Sequence, residues 1–215
     1  DSVRSATRDA DTHPTGSIAD RLMRAARELF YHHGIRPVSV DQIIARAGIA
    51  KPSLYRLYPS KERLAIAYLE DDIRAFWRGF DAAAALHPHD PRAQILAVLA
   101  ALTRKAANPG YRGCALTNAA IEYPGADQAI RLVATAHKQA LRTRLIALSR
   151  AMGAGKSEAL ANGLLLLIEG AYATGQLFDH DKPIVALLET AAQLIDAALS
   201  AVDAGRIADA AAVAK

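Results

Sequence analysis

The chain has 215 residues, 52% of them hydrophobic, with 26 Lys/Arg, 22 Asp/Glu and a single cysteine. That supplies a substantial core for one globular unit or two small domains, and the Ala/Leu richness with scarce β-branched alternation indicates an all-α protein. One cysteine excludes an intramolecular disulfide framework and fits a reducing cytoplasm, while the net charge of +4 lies wholly in residues 1–65, where eleven Lys/Arg face seven Asp/Glu; the remainder carries 15 of each, as expected if the N-terminal part alone meets a polyanion.

Residues 1–16 are polar, with Pro14 and Gly16 as breakers, and read as a mobile tail. A tail without a role is the expectation, with Arg4 and Arg8 as the residues that could trail into a minor groove as short basic arms do. Mixed charges and no apolar core make a secretory leader unexpected. Ser17 caps a first helix to His33, with Ile18, Leu22, Ala25, Ala26, Leu29 and Phe30 on one stripe, and Gly34 closes it.

Ser39 to Tyr58 reads SVDQIIARAGIAKPSLYRLY. Ser39 and Gln42 have the spacing of a capping box, with Val38 and Ile43 as a hydrophobic staple. Val40, Ile43, Ile44 and Ala47 share a face, and Gly48 stands where a left-handed residue ends a helix. A second helix starts after Ile49-Ala50 with Pro52 in its first turn. Two short helices joined by a Gly-containing turn predict a helix-turn-helix, whose second helix enters the DNA major groove. Lys51 and Arg56 supply charge, Ser53 a small donor and acceptor, and Tyr55 and Tyr58 flat bodies with polar tips. An ordinary αα-hairpin with a solvated basic face shares this pattern. A further helix begins at Pro59-Ser60-Lys61-Glu62, capped by Ser60; a first-turn lysine opposes the helix dipole unless an anion docks there.

These residues resemble the DNA-binding domain of the TetR (tetracycline-repressor) family. The resemblance rests on the apolar helix 18–30, then Gly34, Val40, Ile43, Ala47-Gly48-Ile49, Pro52-Ser53-Leu54-Tyr55 and the run Tyr58-Pro59-Ser60-Lys61-Glu62-Arg63-Leu64. It covers about the first third of the chain. Ala50 stands where the family usually has Ser or Thr, and Leu57 where His or Tyr is frequent, so phosphate contacts at those two positions are not expected.

The helix from Ser60 to about Leu86 is long enough to join two domains, and Phe76, Trp77 and Phe80 require a buried face. His87-Pro88-His89-Asp90-Pro91 is a loop without the ligand set a metal needs. A helix from Pro91 to about Ala107 is broken by Asn108-Pro109-Gly110. In the next short helix Cys114, Asn118 and Glu122 lie four apart on one face, either lining a ligand cavity or satisfying the core. A long helix, 127–152, carries His137 within its apolar stripe. Gly153-Ala154-Gly155-Lys156-Ser157 is a turn: a P-loop needs a glycine where Arg150 stands, after a strand. The run Leu164–Ile168 is too short to span a bilayer, so no membrane association is expected. The last two helices, to about 179 and 202, are apolar around most of their circumference, which suggests pairing with a twin across a two-fold axis or, alternatively, completion of the monomer core.

The expectation is therefore a mobile tail (1–16), a three-helix DNA-binding domain (17–62, motif 39–58), a larger helical effector-binding and dimerisation domain (63–204) and a C-terminal tail (205–215). What the resemblance implies is a cytoplasmic homodimeric repressor that releases a palindromic operator when a small apolar or amphipathic effector binds. Ser39, Lys51, Tyr58 and Lys61 are assigned to phosphates; Pro52, Ser53, Tyr55 and Arg56 to the groove, with Arg56 best suited to a guanine. Trp77, Phe80, Cys114, Asn118, His137, Glu169 and Tyr172 are the candidate pocket, and Leu164, Ile168, Leu187, Ala191, Leu194 and Ala198 the candidate dimer face. No cofactor motif, metal set or nucleophile with a paired base is visible, which disfavours an enzyme with a site in the helical domain. A ligand-binding or scaffolding helical protein without DNA function is the other alternative.

Overall fold

The computed structural model describes residues 16–178 and 183–213, with the side chains of the last helix described as far as Ser200. Arg4 and Arg8 lie outside the described residues. Every regular element among the described residues is helical.

Three short helices form the N-terminal unit: α1 (Ile18–His33), α2 (Val40–Ala47) and α3 (Lys51–Leu57). Their ends are set by local chemistry. Ser17 Oγ accepts the Asp20 N–H at 3.1 Å, and the Asp20 carboxylate accepts the Ser17 hydroxyl at 2.7 Å and the Ser17 N–H at 3.1 Å; the hydroxyl bond first, then the N–H bond, hold the Asp20 carboxyl below its ordinary range. Ser39 and Gln42 make the same reciprocal pair at α2. Gly48 ends α2 in the left-handed conformation (φ 62°, ψ 44°), where a Cβ is disfavoured. Leu22, Ala26 and Phe30 from α1 bury against Ile43 of α2 and Leu54 of α3. Burying each of the larger side chains contributes about 1.5–3 kcal/mol.

Ser60 caps α4 (Lys61–Ala85) through the Arg63 N–H. At 25 residues, α4 is about 37 Å long. Its first turns close the N-terminal core with Leu64 and Tyr68, and its later turns run into the larger unit, where it packs on the next helices. Those are α5 (Pro91–Ala106), capped by Asp90, α6 (Ala115–Glu122), α7 (Ala129–Ala151) and α8 (Ser157–Leu177), followed by a 3-10 turn (Pro183–Ala186) and α9 (Leu187–Val213). The glycine-lysine segment at 153–157 is the interhelical turn expected, with Gly153 at φ 79°. Helix α9 continues through 205–213, where a tail is expected.

The candidate dimer face needs correction. Leu164, Ile168, Leu187 and Ala191 are all buried within the protomer, and Leu194 and Ala198 are half-buried against its core. The largest side chains of an amphipathic helix go to its own core first, so the richest apolar stripe is already used. What the last elements turn outward is a second set, with Leu166 73%, Leu177 75% and Val185 74% exposed. The stretch Pro183–Ser200 has mean hydropathy 1.3 and is long and apolar enough to pass as a membrane span on length and composition, with 22% of it buried in the protomer.

Candidate functional site

Helix α3 turns one face inward through Leu54, which is fully buried. The other face presents Lys51, Pro52, Tyr55 and Arg56 to solvent, with Ser53 and Tyr58 half-buried at its edges. Tyr55 is 44% exposed, and Leu57 beside it 40%. Two exposed ion pairs link α2 to its neighbours. Arg46 of α2 forks onto Glu28 of α1 at 2.7–3.0 Å, and Lys51 reaches Asp41 of α2 at 3.0 Å, which raises the Lys51 ammonium above its ordinary value. Both members of the second pair are open to water, so the bond is weak and easily exchanged. Arg56 has no acidic partner among the described residues and is the free cation of the face. Ser39 sits at the start of α2, its hydroxyl engaged as the cap.

Lys61 is placed differently from the phosphate role expected of it. Its ammonium donates to the carbonyls of Ile35 (2.9 Å), Arg36 (3.0 Å) and Val38 (2.8 Å). An ammonium has three donors, so all are taken by the loop between α1 and α2. Burial pushes this ammonium below its ordinary value, which makes the acceptors more necessary. The same loop is held from the other side by Glu122, at the end of α6. The Glu122 carboxylate accepts the N–H groups of Ile35 (3.1 Å) and Arg36 (2.7 Å), and its backbone carbonyl accepts from the Arg36 guanidinium at 3.1 Å. The sequence places Glu122 on a face with Cys114 and Asn118 but carries no sign of this contact.

In the larger unit a cavity of about 190 Å³ opens between α4, α5, α6, α7 and α8. Of the expected residues, Phe80, Cys114, His137 and Tyr172 line it. Trp77 stands one layer back, its ring 5.4 Å from Phe80 and 5.8 Å from His137. Asn118 is turned away, donating to the Arg112 carbonyl at 2.7 Å. Glu169 is satisfied by Lys138 at 2.5 Å and by the Thr117 hydroxyl at 2.8 Å. Both are polar groups completing the packing of α6 rather than facing the cavity. The wall is otherwise built by Phe76, Val98, Leu99, Leu102, Leu116 and Ile168, residues that nothing in the sequence separates from ordinary core. His137 packs edge-on against Phe76 with centroids 4.9 Å apart; burial pushes its imidazole down to about 4, so it is neutral at pH 7.

A second cleft, between α1, α4 and the α5–α6 loop, shares Asp72 and Lys105 with this cavity. Arg27 of α1 spans the cleft to Asp71 and to Asp72, the latter at 3.1 Å. The cavity wall is therefore tied to the N-terminal unit both through Asp72 and through α6, whose first residues line the cavity and whose last holds the loop before α2.

The sequence profile of bacterial regulatory proteins, tetR family, matches residues 22–68. The HTH-type transcriptional regulator EthR of Mycolicibacterium smegmatis is 31% identical over 74 residues, 34% of each chain; that match spans about a third of the relative's length. Over nearly the whole length, a TetR-family transcriptional regulator from Streptomyces coelicolor shares 31% identity and superposes with a TM-score of 0.77, covering 86% of this chain and 95% of that one. Regulatory protein TetR from Rhodobacter sphaeroides shares the fold, with a TM-score of 0.73 at 23% identity over 82% of this chain and 98% of that one.

Proposed function

The chain belongs to the TetR family of transcriptional regulators and is a DNA-binding protein of that family; from this premise we propose a ligand-responsive, homodimeric repressor working in the cytoplasm. Its reader is the unit 17–62 and its sensing and pairing part is 63–204. The observation that carries the reading is the outward face of α3, where Tyr55 and Arg56 stand clear of any core role. Arg56 is assigned to a base edge and Pro52, Ser53 and Tyr55 to the groove around it. Lys51, Ser39 and Tyr58 are assigned to flanking phosphates, Lys51 exchanging its exposed pair with Asp41 for a phosphate. Two copies meeting through the outer faces of α8 and α9 would present two such helices to successive major grooves of a palindromic site. The exposed apolar set at Leu166, Leu177 and Val185 supports that pairing. An effector in the cavity between α4 and α8 acts only through unequal affinity for the DNA-bound and released states. We assign it no catalytic step.

Fluorescence anisotropy on duplexes from the DNA upstream of its own gene tests the reading. Binding that prefers this DNA to a scrambled duplex, weakens steeply with salt and collapses in the Lys51→Ala/Tyr55→Ala double variant supports it. Binding indifferent to sequence and to the double variant removes α3 as the reader.

A further inference from the structure

Resting on the ligand-responsive reading above, we propose that the cavity takes a small amphipathic carboxylate, its apolar body inside and its head group on Lys105. The inner end offers no charge to a ligand. Phe76, Phe80, Leu99, Leu102 and Ile168 surround it; of the two ionisable rings in its wall, His137 is buried and stacked edge-on against Phe76, and burial holds the Tyr172 phenol neutral. Charge appears only at the seam with the second cleft, where Asp72 and Lys105 are the shared walls. These two are not equivalent. Asp72 is already held by the Arg27 guanidinium at 3.1 Å, whereas Lys105 has no acidic partner among the described residues. An incoming anion therefore meets an open ammonium beside a neutralised carboxylate, and an incoming cation is repelled by that ammonium and finds the carboxylate already paired. A charge-assisted bond at such a seam also fixes orientation, because the opposite end of the ligand must enter the apolar part.

The volume sets the size. A cavity of about 150 Å³ accepts benzene, so 190 Å³ suits an apolar body on the order of eight carbons, with the carboxylate outside it. The head group then lies in the cleft whose far wall is α1, so that occupancy bears on the contact between the larger unit and the N-terminal one.

The protein carries its own reporter. Trp77 is the single tryptophan, and it packs against three cavity residues, Phe76, Phe80 and His137. Its emission is titrated in the full-length protein with 3-phenylpropionate and octanoate, and with the alcohol and amine of each skeleton. The same titrations are made in Lys105→Ala and Lys105→Glu, both at an exposed position that should not disturb folding. The carboxylates are expected to bind roughly fivefold tighter than the alcohols, with the amines weakest. Lys105→Ala should erase the carboxylate advantage and leave the alcohols unchanged, and Lys105→Glu should reverse carboxylate and amine. Alcohols equal to carboxylates in the wild type, carboxylate affinity untouched in Lys105→Ala, or no saturable response to either carboxylate overturns the assignment. DNA anisotropy is followed in parallel. Lys105-dependent carboxylate binding that leaves DNA affinity unchanged upholds the ligand class and removes effector-driven release, so the two failures are separable.

Discussion

Replacing Lys61 with methionine distinguishes a phosphate contact from a loop clamp. The side chain keeps its length and apolar stem, while three charge-assisted bonds to the Ile35, Arg36 and Val38 carbonyls at 2.8–3.0 Å disappear. Bonds to charged groups contribute about 1.5–3 kcal/mol each when measured singly, and those sharing one ammonium do not add. Arg36 is exposed and its carbonyl can turn to water, whereas Ile35 and Val38 are buried. A destabilisation of about 2–4 kcal/mol follows, which in a chain of this size lowers Tm by roughly 5–12 °C. Calorimetry gives the Tm, and anisotropy at several salt concentrations gives the slope of log affinity against log salt. A clamp lowers Tm and leaves the slope unchanged. A phosphate-binding lysine leaves Tm unchanged on replacement and reduces the slope by about 0.9 for each phosphate no longer neutralised; that result would refute the clamp.

Three further predictions follow from side chains already placed. The buried His137 imidazole is pushed down to about 4 from an ordinary value of 6.5, so the unfolded chain takes up the proton first as pH falls; stability is whole above about pH 6.5 and declines toward pH 4 by up to about 3 kcal/mol. Denaturant melts across that interval should show His137→Phe losing this part of the slope, and parallel slopes in both proteins would count against it. A Cβ at Gly79, within α4, meets nothing within 4 Å, whereas one at Gly113 (φ 69°) falls 2.8 Å from the Tyr172 carbonyl oxygen. Gly79→Ala should therefore stabilise by about 0.5–1 kcal/mol and Gly113→Ala destabilise by about 2 kcal/mol or more, both read by thermal melts. Leu166→Asp, at a position 73% exposed, should leave the protomer folded and shift sedimentation from dimer toward monomer; an unchanged dimer would place the interface elsewhere.

What the sequence made legible was local. Ser17, Ser39, Ser60 and Gly48 each act within four residues of themselves, and the structure uses them as their spacing implies. The family followed from the same short-range order. Lys61 was not legible, because its acceptors lie 23–26 positions away and a lysine in a first helical turn looks the same whether it reaches a phosphate or a carbonyl. The cavity was half legible. Phe80, Cys114, His137 and Tyr172 line it, but Asn118 and Glu169 attracted notice as polar residues on apolar helices, which is also how satisfied packing looks. Four of the six residues of the dimer stripe went to the protomer's own core for a related reason: hydrophobicity ranks what is buried, without saying whether the protomer or a second copy does the burying.

The contact between Glu122 and the loop before α2 has a consequence for the order in which the molecule assembles. The caps and the core of α1, α2 and α3 join residues close in sequence, which favours rapid formation of that unit during synthesis. The Glu122 bonds to Ile35 and Arg36 span 87 and 86 residues. They cannot close until α6 has been made and docked, because loop-closure entropy must first be met by the packing of the larger unit. A nascent chain therefore acquires α3 early, while the Glu122 side of the loop before α2 is fastened late. Until that lock closes, the loop before α2 is held by Lys61 alone, and α2 and α3 by the core they share with α1 and the first turns of α4.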